Sequence, residues 1–241
     1  MASARATGRE QEASLSDAGA VARYKREAAS SAAELVQDGM RVGLGTGSTV
    51  AYLLEALAGR SLSQARFAVT SPATERAARA VGLTVAGLDE LVELDLAIDG
   101  ADQVDPQGWL IKGGGAAHTR EKIVAAAARQ FVVIVSQEKL VPRLSAPVPL
   151  ELVPFAVQTT LSALGEARLR DVPSSPDGGV IADYLGPIAD PRALAGRLSA
   201  QPGVVEHGLF EPEMVSAIVS AGESGVQRRG GAKPGSRARP A

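Results

Sequence analysis

The chain has no cysteine. That excludes disulfides, thiolate metal ligands and a cysteine nucleophile, and it fits a reducing cytoplasm. Histidine is nearly as scarce, with two among 241 residues, His118 and His207. Any chemistry must therefore rest mainly on lysines and carboxylates. Aromatic residues make up 3% of the chain, too few to build stacking platforms for single-stranded nucleic acid. Strong charge of either sign is missing as well, and a net charge of −2 gives no pull towards nucleic acid or an anionic membrane. No apolar run reaches the roughly 18 residues that span a bilayer. The first twenty residues lack the apolar segment of a secretory signal.

What is present is ordinary for a chain with a buried core: 45% hydrophobic and 22% charged residues. The length suits one large domain or two small ones. Residues 1–20 share the Arg, Ser and Ala of a transit peptide, but Glu10, Glu12 and Asp17 run against that, so they read as a disordered extension. Residues 221–241 are rich in Gly, Pro and Arg without periodicity, and read as a disordered basic tail.

Between these ends, apolar spacing predicts alternating strands and helices. A helix is expected over Tyr24–Gln37, a strand over Met40–Leu44, a helix over Val50–Leu57 and a strand over Phe67–Thr70. Ser71-Pro72 opens a helix through Ala80, followed by short strands at Leu83–Val85 and Leu94–Ile98. A helix over Ile123–Arg129 and the β-branched strand Phe131–Val135 complete a series that implies crossover units and a mostly parallel sheet. After Pro142, Pro147, Pro149 and Pro154 the order changes to βαββαβ: strand Glu151–Val157, helix Thr159–Leu164, strands near Ala167–Arg170 and Val180–Leu185, helix Pro191–Ala200, strand Gly203–Phe210. That order marks a ferredoxin-like unit. Met214–Val219 is a last apolar segment that can return to the first sheet.

Four motifs fall at strand ends, where open α/β sheets bind ligands. GLGTGSTV, residues 43–50, joins a strand to a helix start. Glycine lets backbone approach an anion, and the helix dipole favours negative charge there; a tight turn with Ser48 or Thr49 as cap explains the same residues. It lacks the third glycine of a dinucleotide fingerprint and the lysine of a phosphate-binding P-loop. In LAIDGADQVD, Asp99 and Asp102 can bind hydroxyls, ligate a metal or manage protons, or simply shape a turn. IKGGGAAHTREKIV places Lys112 and Gly113–Gly115 ahead of Glu121, with Arg120 and Lys122 read as structural or solvated. In VSQEKLV, Lys139 follows a strand.

The order of these motifs, with TSPATERAARAVGLTV, PLELVPF and PGVVEHGLF between and after them, resembles the A-type ribose-5-phosphate isomerase family over roughly residues 21–219. The resemblance implies a Rossmann-like sheet domain with a smaller ferredoxin-like α+β domain inserted late in the chain. The implied partition is 21–147 with 209–220 for the first and 148–208 for the second. It implies a cofactor-free, metal-free aldose–ketose isomerase in the cytoplasm, acting on a sugar phosphate through a cis-enediolate, without nucleic-acid or membrane partners, as a homo-oligomer of two or four chains. Glu121 would be the base, Lys112 would stabilise the enediolate oxygen, and Asp99 and Asp102 would bind hydroxyls and shuttle protons. Thr46, Gly47, Ser48 and Thr49, with Gly100, Ala101, Gly113, Gly114 and Gly115, would line the substrate; Lys139, and more weakly Lys25, would hold the phosphate. The chain departs from the family pattern at Gln103, which removes a charge near the aspartates, at His118, and at Ser136–Glu138, where an acid expected to order the Lys139 loop is gone. SPDGG, residues 175–179, also departs. His207 reads as structural. Rival readings are a non-catalytic sugar-phosphate sensor, an amino-sugar-phosphate deaminase or CoA transferase, and a dehydrogenase. No helix-turn-helix region precedes residue 21, neither histidine falls in a deaminase motif, and the glycine pattern disfavours a dinucleotide.

Overall fold

The computed structural model describes residues 3–232. Helix α1 (Ser3–Ala33) leads into β1 (Arg41–Leu44), α2 (Ser48–Ala58), β2 (Arg66–Val69), α3 (Pro72–Ala80), α4 (Leu88–Leu91) and β3 (Leu94–Asp99). Two short strands, β4 (Gln103–Val104) and β5 (Leu110–Ile111), precede α5 (His118–Ala127) and β6 (Ala128–Ser136). Then follow β7 (Val148–Leu152), α6 (Val157–Leu164), β8 (Ala167–Leu169), β9 (Val180–Tyr184), α7 (Pro191–Ser199) and β10 (Val204–His207). The chain closes with β11 (Leu209–Phe210), β12 (Ala217–Gly222) and β13 (Gly225–Gly230).

The fold is mixed α/β. The main sheet runs β13-β12-β6-β3-β1-β2, parallel throughout except for β13. Its inner strands β1, β3, β6 and β12 are largely buried on both faces. Leu44, Leu96, Ile98, Val132 and Ile134 pack with Ala28, Ala32, Leu53 and Leu57 of α1 and α2. Ala97, Phe131, Val133 and Val135 point the other way, against Val124 and Ala125 of α5. This alternation is the period of two that a pleated strand imposes. Gly43 is required where α5 lies close, since a Cβ there would run into the Val124 side chain.

The second sheet is antiparallel, β10-β7-β9-β8. With α6 and α7 it makes the ferredoxin-like unit, and its core includes Leu150, Leu152, Leu161, Ala182 and Leu198. A third, three-stranded sheet, β11-β5-β4, stands between the two.

Several elements differ from their expected form. The N-terminal stretch is helical back to Ser3 rather than disordered, because Ala, Arg, Glu and Gln favour helix; residues 1–2 lie outside the described residues. The basic tail is not disordered throughout: Gly225–Gly230 pairs with β12 as an edge strand, Gly225 making the turn at φ 80°. Residues 233–241 of the expected tail lie outside the described residues. Leu83–Val85 forms only a bridge, Phe67 to Val85. Helix α5 starts at His118 rather than 123, and Ala128–Arg129 belong to β6. Strand β7 begins at Val148 despite Pro149, because that proline sits past the end of β10 and its carbonyl accepts the Gly208 amide at 2.7 Å. The expected strand 203–210 breaks at Gly208, where the Lys112 carbonyl leaves no room for a side chain.

Leu150 is fully buried in the core of the antiparallel unit. Leu150→Ala is expected to lower unfolding stability by about 2–5 kcal/mol in a denaturant titration. Val205→Ala, at a residue 47% exposed, is expected to change it by no more than about 0.5 kcal/mol.

Candidate active site

In the main sheet, β1 is followed by β2 on one side and β3 lies on the other. Their carboxyl ends therefore splay at a topological switch point, where a crevice opens. From β1 the chain enters Gly45–Gly47 and the start of α2. The Gly45 amide donates to Ile98 of β3 at 3.1 Å. A Cβ on Gly45 would fall inside the Asp99 carboxylate, so glycine is what lets Asp99 turn inward. Gly47 adopts φ 128°, a conformation glycine tolerates. The first α2 bond runs from the Ala51 amide to the Gly47 carbonyl at 3.0 Å. The amides of Ser48, Thr49 and Val50 thus precede the intrahelical ladder, at the positive end of the helix. Lys25 of α1 reaches Ser48 Oγ at 3.0 Å, adding a cation to that corner.

A cavity of about 180 Å³ occupies the crevice. Its wall gathers Thr46, Gly47, Ser48, Thr49, Gly100, Ala101, Asp102, Lys112, Gly113, Gly114, Gly115, Glu121 and Lys139, together with Lys25 and Val50. Asp99 stands just behind this wall, buried against Lys112. All the residues singled out from the sequence are thus brought together, from five separate stretches of chain.

The electrostatic centre is Lys112. Its ammonium lies 2.7 Å from Asp99 Oδ2 and 3.1 Å from Glu121 Oε2, and it donates to the Gly100 carbonyl at 2.6 Å. All three side chains are 5% exposed or less. Asp99 Oδ1 accepts the Gly100 amide at 2.7 Å. Asp99 Oδ2 and Glu121 Oε2 face the ammonium at ion-pair distance without hydrogen-bond geometry, so both keep acceptor capacity in hand. Burial alone would depress the Lys112 pKa, but Asp99 and Glu121 outweigh it and hold the amine above its usual range, fully protonated. Burial pushes the Asp99 carboxyl up, against the pull of Lys112 and the Gly100 amide. Glu121 is pushed up to about 7 by burial and by the Asp99 charge, with Lys112 opposing. One cation balances one buried carboxylate at neutral pH. Asp99 and Glu121 share this cation, so the two carboxyls are coupled and each is pushed up by burial.

Asp102 faces the Gly114 amide, Oδ2 at 2.8 Å, and the Lys112 ammonium pairs with Asp99. Among the described residues, no group of three His, Asp or Glu is placed to hold a metal ion. A buried carboxylate titrating near 7, beside a fixed ammonium and open to a cavity, can take and return a carbon-bound proton while the cation stabilises an oxyanion.

Three of the departures have structural accounts. Gln103 turns from the aspartates and ties the Ser145 backbone through both ends of its amide, each bond 2.9 Å, so this uncharged residue braces a loop. In the Lys139 loop, Ser136 Oγ donates to Glu138 at 2.6 Å, and Gln137 accepts the Glu223 amide at 3.0 Å. His118 is buried beneath Gly113, its pKa lowered by burial to about 4, so it is neutral. Arg120 pairs with Asp177, and Lys122 with Glu206 and the His207 carbonyl; neither lines the cavity. His207 accepts the Leu209 amide and meets Ser199 Oγ at 3.0 Å. Sequence reasoning missed Thr70 and Thr74, whose hydroxyls lie 2.8 and 3.2 Å from Thr46 Oγ1 and hold it in place. Their signal was T-S-P-A-T directly after a strand, a capped helix start with hydroxyls turned to the neighbouring loop.

Gly45→Ala is expected to force Asp99 aside and to destabilise the protein by about 1–3 kcal/mol. Gly59→Ala, with nothing within 4 Å of the added carbon, is the control. Thermal midpoints of the two variants check this.

Known proteins agree with the layout. The family model described as ribose 5-phosphate isomerase A (phosphoriboisomerase A) matches residues 66–225. A ribose-5-phosphate isomerase A from Methanoregula boonei is 47% identical over 80% of this chain and 87% of its own length. One from Bradyrhizobium diazoefficiens is 42% identical over 83% and 92%. The crystal structure of ribose 5 phosphate isomerase A from Neisseria gonorrhoeae superposes with a TM-score of 0.82 at 33% identity, covering 87% of this chain and 97% of that one. A D-ribose-5-phosphate isomerase solved with phospho-erythronic acid gives 0.81 at 35%, over 86% and 97%. Sheet order, cavity and sequence thus lead to one conclusion: the chain belongs to the ribose 5-phosphate isomerase A family.

Proposed function

We propose that the chain interconverts D-ribose 5-phosphate and D-ribulose 5-phosphate, with Glu121 as the base. The observation that carries this is the Glu121 carboxyl, pushed up to about 7 and 3.1 Å from the Lys112 ammonium in the cavity wall. Glu121 takes the C2 proton of the open aldose. The C2–H electron pair becomes the C1=C2 bond of a cis-enediolate, and the former carbonyl oxygen takes the negative charge beside Lys112. A proton moves from O2 to O1 with the help of Asp99 and Asp102, and Glu121 returns its proton to C1. The two sugars are isomers, so atoms and electrons balance with no external oxidant or reductant. A four-carbon aldonic phosphate such as phospho-erythronic acid, bound by a relative, carries a carboxylate where the enediolate would carry its two oxygens, in keeping with this course.

The first-turn amides of α2, Ser48, Thr49, Lys25 and Lys139 suit the phosphate end. Gly100, Ala101 and the glycines 113–115 let the sugar lie against backbone. The reading includes a two-unit division at 21–147 with 209–220 and at 148–208, action in the cytoplasm, and a homo-oligomer of two or four chains, whose mass light scattering would measure.

Two outcomes are expected. Followed by NMR in heavy water, the wild type converts ribose 5-phosphate with C–H exchange, and Glu121→Gln loses at least about a hundredfold. Binding of the sugar phosphate without exchange by the wild type would overturn the enzymatic reading in favour of a sensor. The second concerns pH. A base must be deprotonated, and the raised pKa keeps Glu121 protonated below about 7. Hence kcat/KM rises with pH through about 7 and falls roughly tenfold per unit below it; a profile flat from pH 5 to 8 would remove Glu121 from that role.

A further inference from the structure

Behind the cavity, and not part of its lining, lies Arg170, in the segment that follows β8. Its guanidinium reaches the glycine run: Nη1 donates to the Gly113 carbonyl at 2.9 Å and lies 3.4 Å from the Gly114 carbonyl. The other edge of the same guanidinium is held by Asp183 of β9, through Nε at 3.0 Å and through Nη2. Both side chains are less than a fifth exposed. The Arg170 amide is itself fixed to the Ile181 carbonyl at 3.0 Å.

The Gly113 carbonyl and the Gly114 amide belong to one peptide unit, which is planar. Arg170 holds its oxygen and Asp102 Oδ2 accepts from its nitrogen at 2.8 Å. Glycine on both sides gives this plane unusual freedom to rotate, and Gly113 already sits at φ 107°. A plane pinned at its oxygen presents its N–H in one direction and so fixes Asp102. Released, it can turn and leave that carboxylate without its partner.

We propose that Arg170, aimed by Asp183, is a positioning residue for the isomerase site: it locks the Gly113–Gly114 peptide and through it the carboxylate of Asp102. The inference deepens the isomerase reading and rests on it for its kinetic consequence, though not for its structural one. Lysine cannot replace the arginine, because one ammonium cannot serve the Asp183 carboxylate and the glycine carbonyl in the same fork. The antiparallel unit thereby contributes to catalysis without touching substrate.

The test has two arms, run on the full chain. In the first, without substrate, the Gly114 amide is followed by ¹H–¹⁵N NMR. Arg170→Gln, Arg170→Lys and Asp183→Asn are each expected to shift it towards its position in Asp102→Asn. An amide that stays at the wild-type position in folded variants overturns the proposal, whether or not the protein isomerises ribose 5-phosphate. In the second arm, Arg170→Gln lowers kcat/KM by up to about a hundredfold with the thermal midpoint retained, and the same change in an Asp102→Asn background costs little more. Losses that multiply in the double variant mean independent action and also overturn it. If Arg170→Gln fails to fold, Asp183→Asn, which keeps the arginine, carries both arms. Absence of any isomerase activity in the wild type would sink the functional reading alone, leaving the amide arm to decide this one.

Discussion

One buried ammonium organises this protein. Lys112 has two carboxylates within 3.1 Å and no exposure to speak of. Burying a lone charge is very costly, and burying two like charges around one opposite charge leaves an excess negative charge that proton uptake relieves. That excess is what pushes the Glu121 carboxyl up to about 7, away from an ordinary carboxylate. The Lys112 position also explains local backbone choices. Gly45 gives way to Asp99, Gly208 to the Lys112 carbonyl, and Phe210 offers its ring face 5.5 Å from the ammonium. Each of these is a concession of volume to keep one cation in place.

Much of this was legible in the residues because it is local. A short apolar strand ending in Gly-Thr-Gly-Ser or in Asp-Gly-Ala-Asp announces both its element and its chemistry, and strand ends share one edge of a parallel sheet. Thus GLGTGSTV, LAIDGAD and IKGGG converge without any further information. What sequence hid is non-local. Val226 and its neighbours carry no strong strand pattern and become β13 because the β12 edge is there to pair with. The run 203–210 looks continuous until Lys112, far away in sequence, takes the space beside Gly208. Arg170 resembles any surface arginine until the glycine carbonyls are placed beside it.

The departures at Gln103 and Ser136–Glu138 follow the same division. Read in line, each is a lost charge next to a residue of the cavity wall. In space, Gln103 and Gln137 brace loops through backbone bonds, and the charges that matter are those around Lys112, all retained. Charge count along a chain is thus a poor proxy for charge at a site, since the field acts over a few ångströms and not over residues.

The three-stranded sheet β11-β5-β4 joins Lys112 to the late part of the chain through a single ladder, continued by the Lys112 amide to the Gly208 carbonyl at 2.8 Å. These partners are separated by most of the second half of the sequence. Closing so long a loop costs entropy that only assembled neighbours repay. The seam beside Lys112 is therefore completed late in the life of each molecule. A nascent chain emerging from the ribosome can bring Asp99, Gly100 and Glu121 to the Lys112 ammonium early, but the backbone seam beside it closes only once Gly208 and Leu209 have arrived.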